Sequence, residues 1–137
     1  MLRELTPEVR QFLSEATWPG VLSTLSPKGA PITSAVWFAL IDDEIVISTP
    51  ASRPKARNAR LDPRVSFIVD TKERPYRGVA IEGTATVIED PEKRSMRRIA
   101  ERYLGPVLPE FMEQRIAATD RVMLRIRPSR IRPWGFT

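Results

Sequence analysis

Residues 20–49 read GVLSTLSPKGAPITSAVWFALIDDEIVIST, and this stretch decides the fold. Val21-Leu22-Ser23-Thr24-Leu25-Ser26 is a short strand pattern that runs into the turn Pro27-Lys28-Gly29. From Pro31 to Ile41 the spacing predicts one long strand. Ile32, Ser34, Val36, Phe38 and Leu40 point one way, and Thr33, Ala35, Trp37 and Ala39 the other. Asp42-Asp43 then makes a tight turn into Glu44-Ile45-Val46-Ile47-Ser48-Thr49. Two hairpins in succession are an antiparallel meander, because neither connection is long enough for a parallel crossover.

The flanking sequence extends this pattern. Upstream, Thr6-Pro7-Glu8 supplies a hydroxyl cap, a proline at the first helical position and an acid in the first turn, and Val9, Phe12 and Leu13 share one face. Downstream, a basic segment from Ser52 to Leu61 reads as one short helix ending at Asp62-Pro63. Strand patterns resume at Val65–Val69 and Val79–Ile88, with Gly78 and Gly83 marking a bulge or a close backbone approach. Asp90-Pro91-Glu92 opens a helix in which Met96, Ile99, Ala100 and Tyr103 recur at helical spacing, stopped by Gly105-Pro106. A shorter helix from Pro109 to Ala117 and a last strand, Val122–Ile126, complete the chain. The expected class is mainly β: a small antiparallel β-barrel with short helices, one domain over residues 1–137.

Composition limits the chemistry. The 137 residues contain no cysteine and no histidine. Thiolate nucleophiles, disulfides, Cys-rich zinc sites, His acid–base pairs and His-ligated haem are all excluded. Any redox or transfer chemistry must come from a bound cofactor, and no metal site is expected. No apolar run reaches the length of a membrane span, and the N-terminal residues lack the pattern of a secretory signal, so a cytoplasmic protein is expected.

The net charge of +5 is unevenly placed. Residues 53–64 hold five cations against Asp62, and residues 120–137 hold five arginines against Asp120, so the remainder is net acidic. Two confined patches suit local anion sites better than a nucleic-acid surface, and 7% aromatic content is thin for base stacking. In the first patch, Ser48-Thr49-Pro50 leads into a helix start beside Arg53 and Lys55. Hydroxyls, helix N–H groups and cations in one turn are what a phosphate needs. The plain alternative is a solvated cationic helix face. Trp37 reads either as core or as a wall for a flat ring, and Trp134 needs something to dock against, a subunit or a ligand.

The order of these motifs resembles the split β-barrel flavin-binding proteins related to pyridoxamine 5′-phosphate oxidase. The carriers are Gly20–Leu25, Gly29–Phe38, Ile47–Pro50, Arg53-Pro54-Lys55-Ala56-Arg57-Asn58-Ala59, Asp62–Val65 and Glu82–Ala85. The resemblance implies an antiparallel, FMN-binding-like split barrel that forms a homodimer, with the cofactor at the subunit interface. It implies phosphate contacts from Arg53 and Lys55 with Asn58 nearby, and ring contacts from Thr33, Ser34, Ala35, Val36 and Trp37 together with Ser48, Thr49 and Pro50. It also implies that Trp134 closes the pocket from the partner chain. The vitamin oxidases carry a longer C-terminal segment with Arg and His, which departs from this chain. Short chains with the Lys55-x-x-Asn58 spacing are more similar to the reductases that use the deazaflavin F420. The expected function is therefore hydride transfer from F420 to a small unsaturated molecule. The alternatives are an FMN-binding protein or flavin reductase, and a cofactor carrier without turnover. No catalytic side chain stands out, Tyr76 being only a candidate proton donor.

Overall fold

The structure is a computed structural model that describes residues 1–136. Seven strands form one sheet: β1 (Gly20–Leu25), β2 (Pro31–Val36), β3 (Ala39–Ile41), β4 (Glu44–Pro50), β5 (Arg64–Asp70), β6 (Gly78–Glu89) and β7 (Arg121–Trp134). Four helices accompany them: α1 (Pro7–Glu15), α2 (Pro54–Leu61), α3 (Arg94–Leu104) and α4 (Glu110–Ala118). The strand order is β2-β1-β5-β6-β7-β4-β3, and every pairing is antiparallel. The expected class, mainly β and antiparallel with short helices, is what the structure shows; the sheet itself is not closed, because its two edges, β2 and β3, do not pair with each other. Those edges are nevertheless consecutive in the chain, separated only by Trp37 and Phe38.

This corrects the single strand expected over Pro31–Ile41. The strand pairs with β1 as far as Val36, opposite Gly20, and restarts at Ala39, opposite Val46 of β4. Alternation of side chains survives the break, which is why the pattern reads as uninterrupted. Phe38 turns fully inward and meets Phe67 edge-on, with ring centroids 5.0 Å apart. Trp37 turns the other way and stacks on Tyr103 at 4.8 Å and 5°.

Helix α3 fixes this corner. The Tyr103 hydroxyl donates to the Trp18 carbonyl at 3.1 Å and accepts the Phe38 N–H at 3.3 Å. Arg102 donates to the carbonyls of Phe38 (3.0 Å), Leu13 (2.6 Å) and Ser14 (3.1 Å), with its guanidinium over the Phe38 ring. Burial holds the Arg102 pKa below its ordinary value, while the neighbouring Tyr103 acts in the other direction. One half-buried cation thus ties α1, α3 and the sheet corner together.

The cap at Thr6 is as expected, its hydroxyl accepting the Val9 N–H at 3.3 Å. Asp90 serves α3 from outside the helix, its carboxylate accepting the N–H groups of Arg94 (3.1 Å) and Ser95 (3.2 Å). Strand β7 runs eight residues past the expected end at Ile126. Beyond that point its only ladder is with β6, since the β4 ladder ends at Ile126, and on the other side it meets just the single bridge of Leu2 with Ile131. Pro128 and Pro133 are tolerated there, where one side of the strand carries no ladder at either proline. The expected bulge is present between Glu82 and Gly83. Among the described residues no helix is long and apolar enough to cross a membrane.

A side chain at Gly83 would press against the Arg127 carbonyl and the Ile126 methyl. Gly83→Ala is therefore expected to destabilise the protein by about 1–3 kcal/mol, read by chemical denaturation, since backbone cannot step aside as a flexible side chain can. Arg102→Met strands three carbonyls at the corner and is expected to cost about 1–3 kcal/mol in the same measurement.

Candidate functional site

The strand break, α2 and the α3–α4 pair enclose a groove of about 590 Å³. Eight of the residues singled out in the sequence line it. Ala35, Val36 and Trp37 come from the end of β2 and the corner, and Ser48, Thr49 and Pro50 from the end of β4. Arg53 and Lys55 come from the start of α2, where no side chain caps the helix. Pro54 at the first helical position presets the local backbone and has no N–H to satisfy.

The other four lie elsewhere. Asn58 is buried and donates to the Thr24 hydroxyl at 3.1 Å, which ties α2 to β1 rather than facing the groove. Thr33 and Ser34 are on β2, and Thr33 shares a hydrogen bond with Ser23 at 2.8 Å. Trp134 lies against Gly78 on the outward face of the sheet, 38% exposed, and does not line the groove of its own chain. Tyr76 is exposed between β5 and β6 and does not line it either.

The structure adds lining residues that sequence reasoning missed. Met96 and Ile99 of α3 and Met112 of α4 form an apolar wall beside Trp37. Arg115 of α4 and Arg121, the first residue of β7, add two cations. Arg121 had a signal only as part of the C-terminal basic segment. The β4–β7 register, Pro50 opposite Arg121, carries it to the first patch instead. Arg115 stands one helical turn after Met112, a spacing that shows its meaning only once α4 is seated.

The groove therefore combines a flat apolar surface at Trp37 and the methionines with four cations: Arg53, Lys55 and Arg121, and Arg115 next to Met112 on α4. Among the described residues no acidic side chain lines it. Among the described residues none of these four cations is in an ion pair, whereas Arg60, Arg64 and Arg125 are neutralised by Glu89, Asp62 and Glu44. Arg121 is buried, with its Nε donating to the Ser48 hydroxyl at 3.0 Å and one terminal nitrogen to the Thr119 hydroxyl at 3.5 Å. Burial depresses the Lys55 pKa, and repulsion from Arg53 and Arg121 adds to this. Burial likewise depresses that of Arg121, opposed by Asp90 and reinforced by Arg115 and Arg53. Four mutually repelling cations in a partly desolvated groove are a standing demand for an anion.

The groove opens onto the outward face of the sheet, because Ala35 belongs to both. The register places Ala35, Val21, Ile68 and Ala80 in one row across that face, with Ile68 37% exposed.

The family model described as pyridoxamine 5′-phosphate oxidase matches residues 5–135. A conserved hypothetical protein, Rv2991 from Mycobacterium tuberculosis, is 35% identical, with a TM-score of 0.78 covering 99% of this chain and 89% of that one. A solved structure described as an F420 reductase is 28% identical, with a TM-score of 0.75 covering 93% and 98%. HutZ, the heme storage protein from Vibrio cholerae, shares the fold at 20% identity, with a TM-score of 0.74 covering 97% and 96%. Comparison with curated proteins finds no match. With a matching model over nearly its whole length and a similar fold in each of these structures, the chain belongs to the pyridoxamine 5′-phosphate oxidase family.

Proposed function

We propose that the groove holds a phosphate-bearing flavin-type cofactor, F420 first and FMN second, and that the protein is an oxidoreductase reducing a small unsaturated molecule. The observation that carries this reading is the groove, in which the unpaired Arg53 and Lys55 at the start of α2 share one cavity with a flat apolar wall. Its volume is in the range of cofactor pockets. The similarity to an F420 reductase over most of both chains supports the order of the two cofactors.

When bound, such a cofactor supplies the hydride chemistry that a chain without His or Cys cannot. The chain's own residues bind and orient. Arg53 and Lys55 hold the phosphate with charge-assisted hydrogen bonds, helped by the uncapped start of α2. Trp37, kept in place by Tyr103, walls the ring, and Met96, Ile99 and Met112 keep water from its face. Ser48 and Thr49 offer hydroxyls beside it.

A second copy of the chain completes the groove in this reading. The outward row of Ala35, Val21, Ile68 and Ala80 is apolar and adjoins the groove, so a homodimer packed on it would carry Trp134 of each chain towards its partner. A cytoplasmic location goes with this function.

Two other readings have an observation behind them. Some structures of this fold are described as heme-binding, but this chain offers neither His nor Cys as an axial ligand. Among the described residues no carboxylic acid lines the groove to deliver a proton, which favours a carrier without turnover. Steady-state assays with reduced cofactor decide between carrier and reductase.

Titrating the protein separately with oxidised F420 and FMN, followed by fluorescence quenching, is expected to give micromolar or tighter binding, with F420 ahead. Binding of neither overturns the reading, and tighter FMN binding exchanges the two cofactors. Arg53→Ala and Lys55→Ala are each expected to weaken binding roughly ten- to hundredfold. Affinity should also depend on pH through Lys55. Its pKa in the free protein lies below the ordinary 10.5, and a bound phosphate raises it. Affinity is therefore full while Lys55 is protonated and falls as pH rises through its free-protein pKa. Lys55→Arg should flatten that fall.

A further inference from the structure

The cofactor phosphate accounts for Arg53 and Lys55, both on α2, but not for Arg115. That residue enters the groove from α4, three positions after Met112, so it stands beside the apolar wall, and its charge acts on Arg121. The acid nearest to it in sequence, Glu113, is engaged elsewhere: both of its oxygens bind Arg97 of α3, at 2.6 and 2.9 Å. Asp90 faces Arg121 without forming an ion pair and is already occupied as the acceptor for Arg94 and Ser95. Arg121 adds a guanidinium aimed by Ser48 and Thr119. A cation beside an apolar wall, with its neighbouring acids engaged elsewhere, recognises an amphipathic anion: an apolar body against Met112, Met96 and Ile99, and an anionic oxygen group at Arg115.

The geometry points to a carboxylate on the reacting molecule as the partner of Arg115, with Arg121 in support, so that the substrates are unsaturated organic acids rather than neutral compounds. The inference rests on the cofactor reading above, which leaves this wall of the groove to the second reactant. It makes Arg115 a specificity-determining residue that acts on the small molecule and not on the cofactor.

Isothermal titration of the protein with trans-cinnamate and its neutral amide tests this, in the presence and absence of saturating F420 or FMN. The acid is expected to bind about tenfold or more tightly than the amide. Arg115→Gln should erase the difference, Arg115→Lys should restore part of it, and the cofactor affinity of Arg115→Gln should stay within about threefold of the parent. Equal affinity for acid and amide, or no binding of the acid, overturns the proposal. So does an Arg115→Gln protein that loses cofactor affinity as strongly as acid affinity, because the position then belongs to the cofactor. A wild-type protein that binds neither cofactor overturns the cofactor reading instead, while an acid preference measured without cofactor still reads on Arg115 alone.

Discussion

Two consecutive residues, Trp37 and Phe38, carry the chain from one edge of the sheet to the other, and their opposite environments shape the site. Phe38 belongs to the core and Trp37 to the groove. What keeps them apart is a short set of hydrogen bonds from α3, in which Arg102 and Tyr103 satisfy the Phe38 carbonyl and N–H that the broken ladder leaves unpaired. A buried peptide without partners would cost more than the pairing lost at the break, so the corner exists only because α3 reaches it. The same residue that satisfies the corner, Tyr103, supports the ring of Trp37. Fold stability and the flatness of the groove wall therefore share one cause.

Charge is the second organising feature. The basic residues divide by what surrounds them. Arg60, Arg64 and Arg125 meet acids and serve the surface and the sheet, while Arg53, Lys55, Arg115 and Arg121 converge where no acid lines the wall. Surface pairs of this kind add little stability. The converging cations instead repel one another, and an anion among them would relieve that repulsion. A site that is unfavourable by itself and relieved by its ligand is the usual mark of function over fold.

Much of this was legible in the sequence. The Thr6 cap, the hairpins around Gly29 and Asp42-Asp43, the bulge at Gly83 and the cationic start of α2 are local features, and local chemistry predicts them. The break at Trp37–Phe38 was hidden because the inside–outside alternation continues through it. Only the partners change, and partners are non-local. The extension of β7 was hidden by Pro128 and Pro133, which look like stops until one side of the strand proves to carry a single bridge and no ladder. Asn58 sits in the right motif but faces Thr24, since helical spacing alone does not say which wall α2 presents. Arg115 and Arg121 were beyond sequence reading for the same reason: register and helix seating brought them in.

The central claim is that the cationic groove exists to hold a phosphate-bearing flavin-type cofactor. The most direct test is the absorbance spectrum of the protein purified from a host that makes both F420 and FMN, beside that of an Arg53→Ala, Lys55→Ala double variant purified identically. The account predicts a flavin-type chromophore carried by the parent protein in near-equal ratio to the chain and lost from the variant. A colourless parent protein, or a chromophore that the double variant retains undiminished, would contradict it.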